Sequence, residues 1–187
     1  MTESVWNIDK LREIAIDQLG FVTTEQAGSV GVTRHALSML VKRGRLERVA
    51  FGVYRVPQIP HTQYDSFMLA VLWSGTPEAV LSHETALAAY DVSDINPFKI
   101  HITLPKGRRI NRNGGEKYIL HYQDLDPRQK AWWERIPIVT LPTAIKQCIS
   151  YGTPSYLVRQ AIENGTKRGL VLPNEKENFM KMLEERT

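Results

Sequence analysis

The chain has one cysteine among its 187 residues, Cys148, which rules out an intramolecular disulfide and any cysteine-rich zinc site. Ile145 and Ile149 flank that thiol at helical spacing and no histidine lies near it in sequence, so it is expected to be a buried packing group rather than a nucleophile. Long apolar runs are missing: nothing approaches the ~20 residues that span a bilayer. The start MTESVWNIDK lacks the basic-then-apolar order of a secretion signal, and the expectation is a cytoplasmic protein with no membrane partner. There is no low-complexity tract and no repeat. Catalytic fingerprints are also absent. Lys106-Gly107-Arg108-Arg109 does not have the spacing of a phosphate loop, and no segment has a dinucleotide-binding pattern. His83, His101 and His121 are scattered rather than set at i, i+3 or i, i+4, so they read as structural or surface residues and no metal is expected. Ser82-His83-Glu84 holds hydrolase residue types side by side, but neighbours on a helix do not face each other and a helix cap explains them. These absences point to a protein that is not an enzyme and needs no cofactor.

What the chain does contain is concentrated between Gly20 and Val56. Thr23 and Thr24 are placed to cap a short helix through Ala27, with Gly28 and Gly31 as turn residues after it. Thr33 is an N-cap candidate for a second helix, in which Ala36, Leu37, Leu40 and Val41 recur at helical spacing and are expected to face the core. Gly44 stops that helix. Two short runs, Leu46 to Val49 and Val53 to Val56, hinge at Ala50-Phe51-Gly52 and read as a hairpin. Helix, turn, helix and hairpin in this order form a winged helix-turn-helix, completed by an amphipathic helix through Ile8, Leu11, Ile14, Ala15 and Leu19.

With Leu37 and Leu40 turned inward, Arg34, His35, Ser38 and Lys42 occupy the outer face. Between Thr33 and Arg55 the cations Arg34, Lys42, Arg43, Arg45, Arg48 and Arg55 are opposed by Glu47 alone, a local charge of +5 against +4 for the whole chain. Positive charge gathered on one small unit is what phosphate neutralisation and counterion release require. Arg34 and His35, near the helix start, are expected to reach base edges with Ser38 and Lys42 behind them, and Arg43, Arg45, Arg48 and Arg55 to hold the DNA backbone. Phe51 at the hairpin tip suits either packing or a groove contact.

The expected fold class is α+β: an N-terminal winged helix-turn-helix over residues 1–56, a linker at 57–61 marked by Pro57 and Pro60, and a mixed α/β C-terminal domain with a small sheet over 62–187. Helices are expected from Phe67 to Trp73, His83 to Tyr90, Pro142 to Ile149, Pro154 to Asn164 and Asn174 to Glu185, and strands at Lys99–Leu104, Tyr118–Tyr122 and around Ile138–Val139. Of Trp132 and Trp133, one is expected to be buried, because adjacent side chains point apart. A second basic group, Lys106, Arg108, Arg109, Arg112 and Lys117 around a turn-rich Asn111 to Gly115, is a candidate contact for a partner or nucleic acid. From these residues alone, a plain winged-helix regulator whose second domain senses a ligand or dimerises stays open beside other readings, as does a nucleic-acid enzyme.

Four segments in order carry a resemblance: Gly52-Val53-Tyr54-Arg55, Leu81 to Ala86, Ile100 to Arg109, and Ile138 to Ala144. Together they are similar to AbiEi-like antitoxins of type IV toxin–antitoxin systems. The resemblance implies a winged helix that represses its own operon by binding inverted repeats in promoter double-stranded DNA. It also implies a C-terminal domain that counters a nucleotidyltransferase-like toxin, in systems linked to abortive phage infection. The family's C-terminal domain is distantly similar to PD-(D/E)xK nucleases, but this sequence carries no acidic-x-Lys pair on a strand after a preceding Asp, so cleavage is not expected. The hairpin tip departs from the family in having Ala50-Phe51 where basic residues are common. That shifts the expected phosphate contacts to Arg48, Arg55 and the helix.

Overall fold

The computed structural model describes residues 3–186; the ends of the expected domains at 1, 2 and 187 lie outside the described residues. The chain divides into two compact units. The first holds residues 1–77, 109–115 and 134–136, and the second holds 78–108, 116–133 and 137–187.

The first unit runs α1 (Glu3–Ile16), β1 (Phe21–Thr23), α2 (Thr24–Ser29), α3 (Arg34–Lys42), β2 (Glu47–Ala50), β3 (Val53–Arg55) and α4 (Asp65–Trp73). The caps read from sequence are formed. The Thr23 hydroxyl accepts from the Gln26 amide at 3.2 Å while the Gln26 side chain accepts from Thr23 N–H at 2.9 Å, closing a capping box. Thr33 Oγ1 accepts from the Ala36 amide at 3.1 Å and starts α3. The hairpin turns through Gly52 at φ 68°, a left-handed conformation that glycine adopts without a Cβ clash, and a register shift between Arg48 and Ala50 bends the strand. β1, which was not expected from sequence, adds to the hairpin to give the order β1-β3-β2, with Phe21 opposite Arg55 and Thr23 opposite Val53. Ile8, Leu11 and Ala15 of α1 close with Ala27, Leu37, Leu40, Leu46 and Val56 into one core. Leu37 and Leu40 are fully buried as expected. Ala36 and Val41 are half-buried and pack against the same core.

The division falls after Pro77 rather than at 57–61. Two contacts account for this: Ile59 packs against the first core, and Asp65 at the start of α4 pairs with Arg55 of β3 at 3.0 Å. The expected linker is therefore part of the first unit.

The second unit holds a five-stranded sheet in the order β6-β5-β4-β8-β7. Its strands are β4 (Val80–Leu81), β5 (Ile100–Leu104), β6 (Tyr118–Tyr122), β7 (Lys130–Trp133) and β8 (Ile136–Val139). β4 is antiparallel to β5 and parallel to β8, while β5 and β6 run parallel with Ile100 opposite Tyr118 and Leu104 opposite Tyr122. The helices are α5 (His83–Ala89), α6 (Leu141–Tyr151), α7 (Ser155–Lys167) and α8 (Pro173–Glu185). Pro142 sits in the first turn of α6, where its missing N–H leaves no bond broken, and Gly152 ends the helix in the left-handed region at φ 94°. Ile102, Ile138, Ala144, Ile145 and Cys148 are fully buried, so the cysteine is a core residue as expected. Burial, ahead of smaller effects of its neighbours, pushes its thiol up to about 12, leaving it protonated at neutral pH. Trp132 is exposed and Trp133 half-buried, in line with opposed directions on a strand. Among the described residues no helix is long and apolar enough to cross a membrane.

Candidate nucleic-acid interface and a histidine cluster

α3 separates its two faces cleanly. Leu37 and Leu40 lie in the core, while Arg34, His35, Ser38 and Lys42 are exposed, as are Arg43 at the helix C-cap, Arg45 after it and Arg48 on β2. None of these cations has an ion-pair partner among the described residues. No acid sits in the first turn of α3, so the positive end of its dipole adds to Arg34 rather than being neutralised. The Ser38 hydroxyl donates to the Arg34 carbonyl at 3.1 Å, so its proton is used within the helix and its lone pairs face outward as an acceptor. Phe51 at the hairpin tip is exposed, with the Arg112 guanidinium 5.3 Å from its ring.

Arg55 does not belong with these residues. It is 1% exposed. One terminal nitrogen donates to the Leu19 carbonyl at 3.2 Å and to the Asp65 carboxylate at 3.0 Å, and the other to the Ile59 carbonyl at 2.9 Å. The expected backbone contact is corrected to an internal clamp, because Arg55 shares the inward face of β3 with Val53, two residues away.

The second basic group is divided between the two units. Residues 109–115 are counted with the first unit and Lys106, Arg108 and Lys117 with the second. Arg112 is half-buried and donates to the Trp73 carbonyl at 2.8 Å, while the Trp73 indole N–H donates to the Asn113 carbonyl at 2.9 Å. Arg112 thus anchors its own turn. Lys106, Arg109 and Lys117 are exposed.

Residues 9–57 match the family described as "Transcriptional regulator, AbiEi antitoxin". The AbiEi-like segment therefore spans most of α1, the helix-turn-helix and the hairpin, and ends two residues after Arg55. Among solved structures the chain is similar to the RV2827C protein from Mycobacterium tuberculosis, at 13% identity and a TM-score of 0.43, over 95% of this chain and 81% of that one. No curated protein matches the chain.

Beyond the AbiEi-like segment, in the second unit, the three histidines read as scattered are brought together. His101 on β5 and His121 on β6 sit diagonally across a parallel pair, where Thr103 is directly opposite His121, and His83 opens α5. His101 Nδ1 and His121 Nε2 are 3.0 Å apart, and the His83 and His121 rings stack with centroids 3.4 Å apart. Tyr151 lies edge-on to the rings of all three. His83 takes φ 50°, a left-handed conformation that costs about 1–3 kcal/mol for a side-chain-bearing residue, while its amide N–H donates to Gln147 Oε1 at 3.3 Å. Burial pulls His83 down to about 3, helped by His121 and His101; it pulls His101 and His121 down to about 4. All three imidazoles are neutral at physiological pH. His83 and His121 line an open pocket of about 430 Å³ with Gln123, Lys146, Gln147 and Tyr151. Sequence spacing does not mark this convergence, because it depends on strand register.

Proposed function

We propose that the first unit binds inverted repeats in promoter double-stranded DNA and represses the operon encoding the chain. The protein acts in the cytoplasm as a non-enzymatic antitoxin against a nucleotidyltransferase-like toxin. The observation that carries the DNA reading is the exposed row Arg34, His35, Ser38 and Lys42, set opposite buried Leu37 and Leu40 on a capped helix. In this reading α3 enters the major groove. Arg34 meets a guanine edge bidentately, Ser38 accepts from a base amino group, and Lys42, Arg43, Arg45 and Arg48 neutralise phosphates. Lys106, Arg108 and Lys117 on the second unit are the proposed toxin contacts, with Arg109 beside them in sequence.

Arg34→Ala is expected to weaken binding to the promoter site by about 1–3 kcal/mol while random DNA is affected less. Fluorescence anisotropy on both duplexes measures this, and an equal loss on the two would remove Arg34 from base reading. Arg48→Ala is expected to reduce the slope of log K against log salt by about 0.9, the share of one phosphate. An unchanged slope would exclude that contact. The antitoxin role is tested by growth of cells expressing the adjacent gene with and without the full chain. Rescue supports it. A harmless neighbouring gene product would favour a plain winged-helix regulator, a reading that the open pocket of about 430 Å³ in the second unit also favours because a ligand sensor needs such a cavity.

A further inference from the structure

We propose that His83, His101 and His121 form a binding site for one zinc-class divalent cation, with its fourth coordination position open to water in the adjoining pocket. Among the described residues they are the one His, Cys, Asp and Glu grouping with ligand geometry, one nitrogen from each lying within 4.8 Å of the others. Two nitrogens on a tetrahedral zinc at about 2.0–2.1 Å are about 3.3 Å apart. The 3.0 Å between His101 Nδ1 and His121 Nε2 is close to that separation, and rotation of the His83 ring off its stack with His121 supplies the third.

Two of the three rings have a polar group on the side of the nitrogen turned away from the site, as in histidine metal sites whose tautomer is set from behind. Glu84 Oε2 lies 3.7 Å from His101 Nε2, and its other oxygen accepts from the Thr153 hydroxyl at 2.9 Å. That carboxylate favours a proton on Nε2, which leaves the Nδ1 lone pair toward His121. On His83, Nδ1 is 3.0 Å from the Ser82 hydroxyl, which leaves Nε2 as the ligand atom. Without an ion, a proton shared between His101 and His121 fills the gap; the ion replaces it, and His121 passes to its other neutral tautomer. Two neutral histidines bonded to each other explain the 3.0 Å contact, but not a third imidazole stacked upon them on a left-handed backbone. Three nitrogen ligands and no thiolate suit zinc or its substitute cobalt(II) rather than magnesium or calcium, which prefer oxygen.

The test uses the full chain, free of affinity-tag histidines and dialysed metal-free, titrated with zinc sulfate and separately with cobalt(II) chloride. One equivalent of zinc is expected to bind, cobalt is expected to give the intense visible bands of a four-coordinate site, and zinc is expected to raise the melting temperature. His121→Gln alters the least buried of the three and is expected to lower zinc affinity at least about 100-fold with an unchanged circular dichroism spectrum. Glu84→Gln is expected to lower it about 10–100-fold. Absence of saturable binding, cobalt spectra of a six-coordinate aquo type, or full affinity in His121→Gln would overturn the site. His35 and His61 remain in every variant, so retained binding at those residues reads as an ion placed elsewhere. Because the cobalt spectrum is taken on the unmutated chain, the proposal stays open to refutation if a variant fails to fold.

Discussion

Arg55→Ala is expected to destabilise the first unit by about 3–5 kcal/mol, the usual consequence of removing one partner of a buried ion pair. The change leaves the Leu19 and Ile59 carbonyls without their donor and Asp65 without its cation. Urea unfolding followed by circular dichroism measures it. The double variant Arg55→Met/Asp65→Leu is expected to recover only the part owed to the uncompensated Asp65 charge, because the Leu19 and Ile59 carbonyls still lack a donor. A loss below about 1 kcal/mol for Arg55→Ala, the range of a surface pair, would refute the clamp. The same pair sets a pH dependence. Burial raises the Asp65 carboxyl, but hydrogen bonds from Thr62 and His61 and the charge of Arg55 outweigh it and hold the group below its ordinary 3.8. A carboxyl depressed in the folded state adds stability that is complete above its unfolded value and is lost as pH falls through the folded one. The stability gap between the native chain and Asp65→Asn should therefore close only under acid conditions below that ordinary value. Arg55→Ala should weaken DNA binding only in proportion to unfolding, whereas Arg48→Ala should change the salt slope and leave the unfolding curve alone.

The second large effect is expected at Trp73. Its side chain is 2% exposed, its indole N–H holds the Asn113 carbonyl, its own carbonyl accepts from Arg112, and a Cβ on Gly115 would come within 3.2 Å of its ring. Trp73→Ala is expected to cost about 3–5 kcal/mol, as for other large-to-small changes in a core. Trp73→Phe keeps most of the apolar surface and loses one hydrogen bond, at about 0.5–1.5 kcal/mol plus a small cavity. Release of the 109–115 segment should free the backbone beside exposed Arg109 and half-buried Arg112 for trypsin. Limited digestion read by mass spectrometry is expected to cut after both residues faster in Trp73→Ala. Cleavage at the native rate would mean that something other than the indole holds the segment.

Helix α3 was legible because its signals are local: Thr33 as cap, Leu37 and Leu40 at helical spacing, polar residues on the other side. The burial of Arg55 does not show in the sum of charge along the chain. The alternation Val53, Tyr54, Arg55 already places Arg55 on the inward face with Val53. β1 and β4 are three and two residues long, too short for alternation to appear, and their pairing is set by β3, β5 and β8. The boundary at 57–61 looked plausible because prolines break periodicity, yet the salt bridge that ties α4 to β3 leaves no trace in composition. The histidines read as scattered for the same reason that long-range contacts usually go unseen in a sequence. Their meeting depends on the parallel register of β5 and β6 and on the backbone of His83, and none of these is encoded by spacing.

The first unit draws residues from 1–77, 109–115 and 134–136, and this has a consequence for synthesis. Domains that are contiguous in sequence fold as they leave the ribosome, N-terminal first. Here the polymerised chain must reach residue 136 before the unit that carries α3 has all its parts, and by then every strand of the second unit except β8 has been made. Premature termination between residues 74 and 108 releases the helices α2 and α3 without the segment that Trp73 holds. The order of synthesis thus finishes the first unit only after most of the second unit's sheet exists, and a chain cut short before residue 109 carries neither unit whole.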